Sequence, residues 1–179
     1  ECSLRNCLLV GNEAGTAGGG IAVDEEGGET IESCTVVGNE AGTSGGGIWM
    51  DSGLTAPAVV MVTNTIVYHN QAAGLGDDID GDTAGFGYCC SSDLVDDPGG
   101  SENISADPAL AGAGSGFGLG HKGRDYRLAA KSPCVDAGLD QPWMTGGVDL
   151  AGVARILAAH VNMGAYEDVY VPPGTLVLI

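Results

Sequence analysis

Basic residues are scarce in this chain. Six Lys and Arg stand against 24 Asp and Glu, so the net charge is −18 over 179 residues. Such a surface repels nucleic acid and anionic membranes, and neither is expected as a partner. Aromatic residues make up 5% of the chain, and Trp49 is the sole Trp of its N-terminal half. That leaves little material for an aromatic row along a sugar-binding face. A run of about 20 apolar residues is missing, which excludes a transmembrane helix. No window carries an apolar period of 3.6, so helices are not the building element. There is no C-x-x-C pair, no His/Cys cluster at zinc spacing and no G-x-S-x-G turn for a serine nucleophile.

What is abundant is glycine, 32 residues of it, together with a repeat. Residues 6–23 read NCLLVGNEAGTAGGGIAV and residues 33–50 read SCTVVGNEAGTSGGGIWM, with twelve of eighteen positions identical at an offset of 27. A weaker third copy, NTIVYHNQAAGLGDDIDG, occupies 64–81 at an offset of 31 and keeps Val67, Asn70, Ala72, Gly76 and Ile79 in register. A fixed period of this size marks a stacked-repeat architecture. Short Val/Ile/Leu/Thr runs bounded by Gly and Asn read as strands. A period of 27 with three short strands per coil predicts an all-β parallel β-helix, each coil about 4.8 Å above the last.

Ladders follow from that stacking. Asn12, Asn39 and Asn70 are expected at a corner, where Asn tolerates the left-handed conformation. Pointing inward, each amide reaches the Asn of the next coil and the backbone on the other side. Ile21, Ile48 and Ile79 are expected to stack as an aliphatic ladder. Residues 1–82 then form the coils, 83–121 an irregular Gly-rich last coil with loops, and 122–179 a C-terminal cap module ending in a strand. The charge agrees with this division. Residues 1–121 hold 18 acidic residues and one basic residue, Arg5, whereas 122–155 hold five basic and four acidic ones.

The repeat resembles the right-handed parallel β-helix repeats of bacterial surface and secreted proteins, with a GN(T/E)A…GGGI pattern. It is also similar to the repeats of polymorphic outer-membrane proteins. Further on, DPAL (107–110), RDYRLAAKSPCVDAGLD (124–140), GGVDLAGVARI (146–156) and NMGAYE (162–167) resemble, in that order, the C-terminal region of "choice-of-anchor" β-helix proteins. The departures are Asn162, where Asp is usual, and the tail VYVPPGTLVLI, where relatives often carry a sorting signal. The resemblance implies a secreted or cell-surface protein.

Few constellations could carry chemistry. Asp78, Asp80 and Asp82 alternate on an extended segment, so their carboxylates line one side. They read either as a calcium-ligand ladder or as a solvated acidic edge. Asp77 and Asp78 are a carboxylate pair, but neighbours on a strand face opposite ways. Cys7 and Cys34 share a repeat position and are either a disulfide or stacked buried thiols. Cys134 has Cys89 or Cys90 as its expected disulfide partner. Six cysteines suit an oxidising compartment. Arg127 and Arg155, among Asp125, Asp136 and Asp149, read as an ion-pair set holding the cap. Thr175, Leu176, Val177, Leu178 and Ile179 form an apolar strand behind Pro172-Pro173. They are an assembly candidate, adding to the next subunit in trans or packing in cis. The first coil opens at Glu1-Cys2 without a polar cap and is a second assembly candidate.

Two function classes follow. One is a non-catalytic extracellular structural or adhesive protein that self-assembles head to tail into filaments. The other is a carbohydrate-binding or polysaccharide-degrading β-helix. No catalytic residue is assigned, calcium is the one candidate cofactor, and the partners are self or a surface polysaccharide.

Overall fold

The computed structural model describes residues 2–24, 28–51, 60–94 and 101–169. Short strands follow one another around each coil and pair in parallel with their counterparts on the next. In the first coil these are β1 (Ser3–Arg5), β2 (Leu8–Val10), β3 (Glu13–Ala14) and β4 (Ile21–Val23). The second coil has β5 (Thr30–Glu32), β6 (Thr35–Val37), β7 (Glu40–Ala41) and β8 (Ile48–Met50). The third has β9 (Met61–Thr63), β10 (Ile66–Tyr68), β11 (Gln71–Ala72) and β12 (Ile79–Asp80). The coil therefore has four named strands, one more than the sequence pattern suggests. A further parallel bridge joins Ala17, Ser44 and Leu75.

Stacking continues past the recognisable repeat. β13 (Phe86–Gly87) pairs in parallel with β9, and Cys90 bridges both Ile66 and Ile104. The coils thus shrink to fragments, at 86–90 and then around 103–104, before the stack stops. The fold is an all-β parallel β-helix with an irregular C-terminal module.

Three columns of left-handed residues turn the chain. The first is Asn6, Ser33, Asn64, Tyr88 and Glu102, with φ between 52° and 55°. Gly11, Gly38 and His69 form the second, and Gly18, Gly45 and Gly76 the third. The left-handed residue at the middle corner is therefore the one before Asn12, Asn39 and Asn70, not the Asn itself. This corrects the expected corner. The Asn is the first residue after the turn, which frees its side chain to point inward. At the third corner a side chain is excluded twice over: at Gly45 a Cβ would lie 2.5 Å from the Ile48 carbonyl oxygen, on a backbone with φ of +60°.

Two apolar cores result. The inner one fills the lumen with Val23, Ile31, Val36, Ile48, Val62, Val67, Ile79, Phe86 and Leu94. Alternate residues of the same strands face out, and a second core forms there from Ile66, Cys90, Leu128, Cys134 and Met163. It lies between the solenoid wall and the C-terminal module. That module begins with the antiparallel pair β14 (Leu110–Gly112) and β15 (Asp125–Leu128). It then runs back along the solenoid as a lateral strap, crossing the first corner column. Asn64 exchanges two hydrogen bonds with the backbone of Leu139, at 2.9 and 2.7 Å. Asn6 donates to the Val148 carbonyl at 2.8 Å, and the Ala165 N–H donates to Thr35 Oγ1 at 3.0 Å. The strap therefore holds all three complete coils at once.

Candidate functional site

The Asn ladder is continuous. Asn12 Nδ2 donates to Asn39 Oδ1 at 2.9 Å, and Asn39 Nδ2 donates to Asn70 Oδ1 at 2.9 Å. Each acceptor also takes the backbone N–H of the Asn below it. Asn39 Nδ2 reaches back to the Leu9 carbonyl, and Asn70 Nδ2 to that of Val36. A strict register places Ile21, Ile48 and Ile79 in one column.

The ladder ends on Asp78. Its Oδ1 accepts from Asn70 N and Nδ2, both at 3.0 Å, where a fourth Asn would have offered its own oxygen. Asp78 Oδ2 accepts from Ser92 Oγ at 2.7 Å. In the second coil, Gly47 and Ile48 donate their N–H groups to the Asp78 carbonyl above. In the third, the N–H groups of Asp78 and Ile79 donate instead to Asp93 Oδ2, at 2.9 and 2.8 Å. Leu94 then enters the lumen beside Phe86. Ser92, Asp93 and Leu94 are thus a plug that imitates the missing coil. Burial raises the pKa of Asp78 against the opposing effect of its Asn70 and Ser92 donors.

This placement separates the three aspartates. Asp78 is buried, Asp80 is half-buried at the end of β12, and Asp82 is exposed. Gly81, at φ +122°, breaks the extended alternation that would have aligned them. Asp82 Oδ1 instead accepts the Ala84 N–H at 2.9 Å. Asp77 faces away from Asp78 and accepts from the Ala72 N–H. Among the described residues no group of three His, Cys, Asp or Glu side chains is placed to hold a metal ion.

All six cysteines are thiols: of the two readings of Cys7 and Cys34 the structure holds the stacked thiols, and the disulfide expected at Cys134 is absent from it. Cys7, Cys34, Thr65 and Cys89 form a column just after the first corner. Each donates its thiol or hydroxyl to the carbonyl two residues earlier. That bond is a local one which a disulfide would break, and it gives the column a role as turn support. Burial pushes the Cys34 and Cys89 thiols up to about 12. Cys90 faces the other way, into the second core with Cys134.

Three charged clusters lie along the strap. Near the first coil, Arg5 pairs with Glu32 at 2.7 Å and lies 4.3 Å over the Trp143 ring, whose Nε1 donates to Glu32 at 3.0 Å. Deeper, Arg155 is wholly buried, 3.4 Å from Glu167, with Nη2 donating to the Gly164 carbonyl. Glu167 also takes the Asn162 N–H, and burial pushes its carboxyl up to about 7. Asp149 accepts the Glu167 N–H at 2.8 Å. Arg127 pairs with Asp125 and Asp168, at 2.6 and 3.0 Å. The partners differ in part from the expected set: Glu167 and Asp168 are added, while the Asp136 N–H is held by Asn162. The roles of Trp143, Asp93 and Leu94 had no signal in the repeat pattern, because none sits at a repeating position.

His121 rests over the Gly38 corner, 2.9 Å from the Gly116 carbonyl and 3.1 Å from the Tyr126 hydroxyl. The small cavity of about 110 Å³ beside His121 is lined also by His69, Ser115 and Phe117, with no carboxylate in its lining. Residues 175–179 lie outside the described residues. No helix among the described residues is long and apolar enough to cross a membrane.

Fold and side-chain placement define a parallel β-helix repeat protein whose polar ladders are closed upon themselves. No family model, curated protein or solved structure matches the chain.

Proposed function

We propose that this chain is a non-catalytic structural or adhesive β-helix protein that works at the cell surface or outside the cell. The observation that carries this reading is the ladder. From Asn12 through Asn39 and Asn70 to Asp78, the inward polar groups serve coil stacking. Outside, Glu13 and Glu40 stand in register on neighbouring strands, with Gln71 next, so the acidic face repeats with the coil. A rigid acidic rod with one repeating face suits presentation and contact better than bond breaking. The aromatic side chains do not favour the carbohydrate-degrading alternative. Trp49 stands between Ala22 and Asp80 across the strands, with no aromatic neighbour in its row.

Self-association belongs to the same proposal. The plug at Asp93 and Leu94 opposes coil-on-coil stacking at the far end of the solenoid. Strand addition by Thr175–Ile179 along a free strand edge is the route that leaves the plug in place. A head-to-tail contact of this kind does not close and gives filaments. Negative-stain microscopy of the protein and of a variant ending at residue 169 tests it, alongside product assays on a panel of acidic and neutral polysaccharides. Filaments lost on truncation, with no sugar product, are the expected result. Monodisperse particles in both samples would remove the assembly. Release of reducing or unsaturated ends would overturn the non-catalytic reading.

A further inference from the structure

We propose that Cys90 and Cys134 are a modification site: a dithiol that a low-molecular-weight disulfide, such as oxidised glutathione, converts into a clasp between solenoid and strap. The two residues belong to different units. Cys90 sits on the shrinking fourth coil, bridged to Ile66 below and Ile104 above. Cys134 sits on the strap, its N–H held by Ser132 Oγ at 3.1 Å and its carbonyl accepting from Met163. Both are fully buried in the second core, where they belong to one cluster and the Cys90 thiol donates to the Ala106 carbonyl at 3.2 Å.

Geometry also selects between the two adjacent cysteines. Neighbours on an extended strand face opposite sides. Cys89 points into the lumen, where its thiol donates to the Val62 and Gly87 carbonyls at 3.3 Å each. Cys90 points out, toward Cys134. Cys7 and Cys34 lie in the lumen cluster as well, and Cys2 is exposed on the first coil. The second core therefore holds one thiol pair among the described residues.

The chemistry is two exchanges. One protein thiolate attacks oxidised glutathione, forming a mixed disulfide and expelling a glutathione thiolate. The second protein thiolate attacks the protein sulfur of that mixed disulfide and expels the other. Two protein thiols are oxidised, one glutathione disulfide is reduced, and two protons leave. The neighbouring Cys134 thiol and burial together raise the Cys90 thiol pKa, so little thiolate exists while the strap is closed. Oxidation then proceeds during folding or when the strap lifts.

The test is non-reducing peptide mapping after refolding the full chain in a glutathione redox buffer, with thermal melting of the oxidised and reduced forms. The expected result is a Cys90–Cys134 linked peptide, retained in Cys89→Ser. The melting temperature should rise by about 5–10 °C, lost in Cys134→Ser. Linkage of Cys134 to Cys89, or a Cys134 that stays alkylatable after oxidation, would overturn the pairing. A linked peptide without any rise in melting temperature would overturn the clasp. Mapping of the unsubstituted chain decides the pairing even if a variant fails to fold.

Discussion

Asn39 occupies the middle of the ladder and uses every atom of its amide. Its oxygen accepts from Asn12 N and Nδ2, and its nitrogen donates to Asn70 and to the Leu9 carbonyl. Asn39→Ala leaves those buried partners without a mate, each costing about 1–3 kcal/mol. We expect a loss of roughly 3 kcal/mol in urea denaturation, against about 1 kcal/mol for Asn12→Ala at the exposed end of the ladder. Equal losses at the two sites would mean that the column is not a coupled network. Asp78 gives a second prediction. Its pKa is raised in the fold by burial, with the Asp93 carboxylate adding to the shift. A carboxyl raised in the folded state stabilises fully below its unfolded pKa of about 4, and that contribution fades as pH rises through the folded value. Asp78→Asn keeps an oxygen for Asn70 and offers an N–H to Ser92. The variant should flatten the decline of stability as pH rises above about 4 and be no less stable than the parent once Asp78 is ionised. A steeper decline would sink this account of the ladder's end. The ladder was legible in the sequence because one solution repeats at offsets of 27 and 31. The corner was misplaced by one residue, since the G-N dipeptide does not say which member takes positive φ until His69 stands in for the glycine.

The strap is the element that the sequence disclosed least. Its contacts join residues 75 to 142 apart, such as Asn64 with Leu139 and Asn6 with Val148. They do not recur, so no period announces them. The motif SPCVDAG…NMGAYE marked the segment as a unit. It did not say that the unit lies along the wall and reaches back to the first coil. Arg155 tests how the strap is held. It is wholly buried beside Glu167, and removing one partner of a buried pair typically costs about 3–5 kcal/mol. Glu167 softens this, because burial already pushes its carboxyl up to about 7 and lets it take a proton. Arg155→Met should therefore destabilise by several kcal/mol at pH 8, and by clearly less at pH 5, where the orphaned carboxyl is neutral. Denaturation at the two pH values checks the difference. A pH-independent loss would mean that Arg155 acts by filling space rather than by pairing with Glu167.

At the scale of the molecule, the solenoid is a one-dimensional stack whose described coils differ in cover. The far end is closed by Asp93 and Leu94, while core residues of the first coil, Leu4, Cys7, Leu9 and Ile21, are only partly buried. Their counterparts one coil on, Ile31, Cys34, Val36 and Ile48, are at most 1% exposed. Nearest-neighbour stacking of this kind makes stability close to a sum over coils and interfaces. Duplicating residues 6–32 in place inserts one coil with its own Asn, corner glycines and Ile. The inserted copy of Asn6 then lies one coil below Ser33, where the strap expects it, and the original first coil moves beyond the strap. The strap register is kept, and the plug is untouched. We expect a folded protein whose urea m-value rises by about 15%, in proportion to the chain added, with no fall in midpoint. The same variant should bury the inserted copies of Cys7, Leu9 and Ile21 in what is now the second coil, seen as slower amide exchange there. A variant that fails to fold would show instead that strap and coils form one indivisible unit, with the strap rather than the ladder setting the number of coils.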